Sequence, residues 1–183
     1  MRNLFISIVL FFTPMLSAAF ETGGVIYNST VEDEKVIALG IRPEGQMGAP
    51  GPHNIAVNAS YTGIAYNFDG SAAAGGKSGW RDATTPGCLC EGWGAGGLDL
   101  DGNQFSGRAN EAKGGVNNLE VKSFVTEETS LVSTVWIDDS DEGPTLEVIH
   151  RFGPAAKVPG VLFQALVTIT NIGGSTVQDL SLI

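Results

Sequence analysis

The chain has 183 residues and 25 of them are glycine, about twice the share in an average protein. Charged residues make up 16%, and acids outnumber bases 20 to 10, for a net charge of −10. A coiled coil or helical bundle is excluded by this poverty in charge, collagen by glycines without a three-residue period, and disorder by the 43% of hydrophobic residues.

The first nineteen residues read as a secretory signal peptide. Arg2 supplies the positive start, Leu4–Phe12 is apolar but for Ser7, Pro14 ends the run, and Ser17 and Ala19 suit cleavage after Ala19. The apolar run is about half the ~20 residues that a membrane-spanning helix needs. Secretion or display at the cell surface is therefore expected, with no transmembrane segment left after cleavage. Residues 20–183 would form one domain, and loss of Arg2 would bring its charge to −11. An acidic, lysine-poor surface argues against nucleic acid and anionic lipid. Glycans, divalent cations or another extracellular protein suit it better.

Along the mature chain, apolar residues recur with period two rather than 3.6. Strands are predicted at 25–30, 35–42, 54–60 and 63–68. Residues 69–115 then hold more than half of the glycines and read as a long ordered loop region or as several very short strands. Further strands follow. Leu119, Val121 and Val125 share one face; Leu131, Val135 and Ile137 alternate with Val132, Thr134 and Trp136. Leu146, Val148, His150 and Phe152 stand opposite Glu147 and Arg151. In 161–171, Phe163, Ala165, Val167 and Ile169 face one way while Leu162 and Leu166 cover the other, which predicts a central strand buried on both faces. Residues 175–183 read as a last strand that stops while still apolar, the expected mark of the N-terminal part of a longer protein. The pattern implies an all-β antiparallel sandwich, Ig-like or larger, with a glycine-rich loop region.

Several motifs carry candidate chemistry. Gly75-Gly-Lys-Ser78 misses the phosphate-loop pattern because Ser71 stands where its first glycine belongs. Cys88 and Cys90 are too closely spaced for a usual zinc site; they are a candidate disulfide, with pairing elsewhere or free thiols as alternatives. Asp99, Asp101 and Asn103 resemble the start of a calcium loop, but Gln104 and Asn110 stand where an EF-hand needs glycine and glutamate. A looser calcium site there, or at Asp138–Glu142, competes with plain turn chemistry. Glu91 lies between Trp80 and Trp93, so these three are the candidate ligand-binding residues, with the indoles as stacking faces for a sugar. No nucleophile motif is present, His150 sits on the apolar face of its strand and is expected to be a hydrogen-bonded core histidine, and His53 lies in a loop. Asn28-Ser-Thr and Asn58-Ala-Ser are glycosylation sequons, relevant only in a eukaryote.

Two stretches, GWRDATTPGCLCEGWG at 79–94 and LEVIHRFGPA at 146–155 leading into VLFQALVTITNIGGSTVQDL at 161–180, resemble the N-terminal region of uncharacterised secreted bacterial proteins, often of the PEP-CTERM surface-sorted type. The resemblance implies a β-sandwich, export, and no catalytic residues. The expected function is thus a non-catalytic exported module of a larger bacterial surface or extracellular protein. Alternatives are a carbohydrate-binding or carbohydrate-processing domain and a calcium-stabilised adhesion module.

Overall fold

In the computed structural model, residues 22–70, 77–85, 91–110, 115–138 and 143–182 are described. The leader, Gly75–Gly76, Cys88, Cys90, most of the 138–142 acidic cluster and Ile183 lie outside them. The regular structure of the described chain is nearly all strand: β1 (Gly24–Tyr27), β2 (Ile37–Ile41), β3 (Ala49–Pro50), β4 (Tyr61–Thr62), β5 (Ile64–Asn67), β6 (Trp80–Asp82) and β7 (Gly92–Leu98). There follow β8 (Gln104–Asn110), β9 (Gly115–Asn117), β10 (Leu119–Thr126), β11 (Leu131–Ile137), β12 (Leu146–Pro154), β13 (Phe163–Asn171) and β14 (Gln178–Leu182). Every pairing is antiparallel, in keeping with strands that alternate apolar and polar faces.

Three four-stranded sheets result: an N-terminal sheet β1-β2-β5-β6, a central sheet β10-β11-β12-β13, and a glycine-rich sheet β14-β7-β8-β9. A small β3-β4 ribbon completes the set. The inner face of the central sheet carries Leu131, Ser133, Val135 and Ile137 of β11, each directly opposite Phe152, His150, Val148 and Leu146 of β12. One half of this face packs on the glycine-rich sheet, where Val135, Ile137, Leu146 and Val148 meet Ala95, Trp93 and Phe105. The other half packs on the N-terminal sheet, where Leu131, Phe124 and Phe152 meet Ile26, Leu39 and Ile41. Behind the N-terminal sheet, Trp80, Ala38, Ile55 and Ala65 form a further cluster. The fold is therefore a sandwich in which one sheet is covered, end to end, by two.

Four expectations need correction. Residues 54–60 form no strand; Asn54 and Asn58 spend their amides on local hydrogen bonds, to Ala59 O and Ala56 N and across to Asp82. Among the described residues of 69–115 the strands are not all very short, since β7 and β8 have seven residues each and pair as a hairpin. Their glycines allow close packing: a Cβ at Gly107 would lie 2.8 Å from both Ile137 Cγ1 and Leu119 Cδ2. Val125 does not share a face with Leu119 and Val121, because a bulge between Val121 and Ser123 turns Phe124 inward instead. Finally, β13 is an edge strand, paired among the described residues with β12 alone, and Leu166 on its outer face is 60% exposed.

Candidate functional site

The three sheets converge on one turn. Between β2 and β3 the chain reverses at Arg42–Gln46, closed by Gly45 N–H to Arg42 O (2.9 Å) and Arg42 N–H to Gln46 O (2.8 Å). Gly45 takes φ +90°, a left-handed conformation that glycine adopts without steric cost. A Cβ there would also lie 2.8 Å from His150 Nδ1, so the turn reaches the central sheet only because that side chain is missing. Pro43 O accepts the Ser133 hydroxyl hydrogen bond from the central sheet, and Glu44 O accepts from Trp93 Nε1 at 2.7 Å from the glycine-rich sheet. One turn of the N-terminal sheet is thus bonded to both of the others.

Beside this junction opens a cleft of about 500 Å³. Its walls are mainly apolar: Leu39, Met47, Trp93, Phe152, Phe163 and Val167, with Glu91, Gln46, His150 and Gln164 as polar members. The Trp93 and His150 rings are 4.4 Å apart between centroids and tilted by 56°, and His150 stacks on Phe152 at 6.0 Å. His150 is only 3% exposed, and burial holds its imidazole down at a pKa of about 4, so it is neutral at physiological pH. Neither of its ring nitrogens, nor Gln46 Oε1, has a hydrogen-bond partner among the described residues. Buried polar atoms are normally paired, and each one left unpaired costs about 1–3 kcal/mol.

A second depression, about 420 Å³, lies against β7, β8 and β14 and is lined largely by Gly94–Leu98 and Gln104–Arg108. It brings together one aromatic ring, Phe105, and no buried unpaired polar atom, so the junction cleft has the stronger recognition chemistry.

The candidate residues separate in space. Glu91 and Trp93 do line one cleft. Trp80 does not join them: it is fully buried, edge-on to Tyr27 at 5.8 Å, and presents no face to a sugar. Asp99 and Asn103 close a turn between β7 and β8 on themselves. Asp99 Oδ1 accepts from the Asp101 and Asn103 amides, and Oδ2 accepts from Asn103 Nδ2 at 2.9 Å. The Asn103 side chain and then its amide hold the Asp99 carboxyl below its usual pKa. No cluster of three or more His, Cys, Asp or Glu suited to a metal occurs among the described residues. Cys88 and Cys90 lie outside them. Asn28 and Asn58 spend both ends of their amides on hydrogen bonds, Asn28 to Glu34 O and to the Val36 and Ile37 amides. Gln46 and Met47 have no signal in the sequence, and Phe163 stands out there only as an apolar residue on one face of a strand. They come from a turn and a strand start remote from Trp93, and only their convergence gives them a role.

Comparison with protein-family models, with curated proteins and with solved structures found no match. Among the described residues no helix is long and apolar enough to cross a membrane.

Proposed function

We propose that this chain is an exported, non-catalytic β-sandwich module of a bacterial surface or extracellular protein, and that it binds an apolar ligand in the junction cleft. The observation that carries this reading is the pairing of a largely apolar cleft with buried, unpartnered polar atoms on Gln46 and His150. An apolar body lies against Trp93, Phe152, Phe163 and Val167, and one uncharged polar group at its inner end meets Gln46 or His150. His150 serves as a neutral hydrogen-bonding group rather than as a base, because burial keeps its pKa at about 4. The export element of the proposal rests on the N-terminal leader pattern.

A second reading, a neutral sugar stacked on Trp93 and held by Glu91, is favoured by the presence of both residues in the same cleft. The apolar character of the remaining walls supports the first.

Titration with a neutral naphthyl fluorophore and, in parallel, with a panel of neutral oligosaccharides tests the proposal. Saturable binding of the fluorophore is expected, with Trp93→Ala weakening it about tenfold or more through lost apolar contact. Trp136→Ala should leave it unchanged, since Trp136 lies on the opposite face of the central sheet under Lys122. Ala165→Trp, placed at the exposed mouth, should block binding without removing any core side chain. Absence of saturable binding, or equal binding by Ala165→Trp, would overturn the proposal; saturable binding of oligosaccharides alone would establish the second reading.

A further inference from the structure

The edges of the sheets are not alike. Long edge strands expose unpaired backbone groups, and proteins blunt them with charge, bulges, proline or shortness. In the N-terminal sheet, β6 has three residues; β1 has four, and its Tyr27 amide is taken by Glu128 O at 2.8 Å. In the glycine-rich sheet, β9 has three residues, while β14 is broken by a register shift and carries Asp179 at φ +50°. The outer edge of β10 has its bulge and the Lys122–Glu120 ion pair at 2.6 Å. Only β13 has none of these devices among the described sheet edges. It is nine residues long, in unbroken register with β12 from Leu146–Asn171 to Pro154–Phe163. Nothing among the described residues pairs with its other side. No charged residue occurs from 158 to 178, although the chain as a whole carries −10.

We infer that β13 pairs antiparallel with β13 of a second copy of this chain, joining two central sheets into one. The uncharged edge is the argument for a second copy. Antiparallel pairing about a two-fold axis brings two copies of the same strand together, so any net charge on β13 would be set against the same net charge on its mate. An edge meant for a charged partner would carry the opposite charge, and an edge meant to stay single would carry lysine or a bulge. β13 carries neither. The outer-face Leu162 and Leu166, more than half exposed in the single chain, gain apolar cover from the partner strand. Phe163, Gln164, Ala165 and Val167 line the mouth of the cleft, so the partner's strand would border that mouth too.

Sedimentation of the full chain over a range from micromolar to hundreds of micromolar, combined with hydrogen exchange, tests this. The expected result is a doubling of mass with concentration, accompanied by slower exchange of β13 amides over the same range. Leu166→Lys combined with Thr168→Lys should stay monomeric and keep its melting temperature, because both residues are exposed. Val125→Lys, exposed on the opposite edge strand, should dimerise as the parent does. A chain that stays monomeric throughout, or a dimer that survives the double substitution, would overturn the inference. So would protection of β13 that does not change with concentration, which would reveal a covering strand from the same chain. The monomeric double variant should still bind the naphthyl fluorophore, so failure here is separable from failure of the cleft reading.

Discussion

His150 is the residue at which the fold's stability and the cleft's chemistry meet. In an unfolded chain its imidazole titrates near 6.5, whereas in the fold it does so at about 4. The folded state therefore resists a proton that the unfolded state accepts. Above the unfolded value there is no penalty; as pH falls from about 6.5 to about 4, stability is lost progressively, on the order of 3 kcal/mol in all. Below the folded value both states are protonated and the loss stops growing. His150→Phe should remove this dependence and relieve two unpaired nitrogens. Urea unfolding of parent and variant at about pH 8 and pH 5 checks it, and the gap between them should widen in favour of Phe as pH falls. A constant gap would show that His150 takes up its proton as readily in the fold as in the unfolded chain. The sequence placed His150 correctly on an apolar face, because alternation along a strand is a local signal. It could not show that Trp80 is buried behind a different sheet, since both a stacking indole and a core indole look alike in a chain rich in turns.

At the level of elements, the glycine-rich hairpin β7–β8 shows what composition conceals. Glycine is a poor strand former, so the sequence of 69–115 reads as loop or as very short strands, but close approach between sheets needs small residues as much as loops do. Gly107 is the clearest case, with its missing Cβ sited against Ile137, Leu119 and the Asn118 carbonyl. Gly107→Ala should destabilise the protein by about 1–3 kcal/mol, the usual cost of overpacking. Thermal melts will show it, and Gly102→Ala in the open β7–β8 turn is a useful contrast: nothing lies within 4 Å of its added Cβ, and its cost comes from φ +82° alone. Equal packing-independent losses in both would contradict the reading of Gly107. The strands after residue 118 are legible within about three residues at each end, because most of them alternate strictly. The bulge in β10 was not, for one extra residue leaves no mark on composition yet sends Val125 outward and Phe124 inward. β13 was read as central because it is apolar on both sides; that same quality in an edge strand is what points to a second copy.

For the molecule as a whole, the decisive event is the convergence of three sheets on the Arg42–Gln46 turn. Its bonds to Ser133 and Trp93 span 90 and 49 residues of chain, separations that no local pattern records. Fold class was legible from the sequence because it follows from periodicity. The cleft was half legible: Glu91 and Trp93 were singled out, whereas Gln46, Phe152 and Phe163 reach it only through packing. Wherever the ligand binds, it must report on residues that are distant in sequence and adjacent in space. The most direct measurement is an amide and side-chain NMR titration of the chain with the neutral naphthyl fluorophore. The largest shifts should fall together on Gln46, the Trp93 indole N–H, His150 and Phe163, with the Asp99–Asn103 turn unmoved. Shifts confined to Gly94–Leu98 and Gln104–Arg108, or no shifts at the Trp93 indole, would contradict the account.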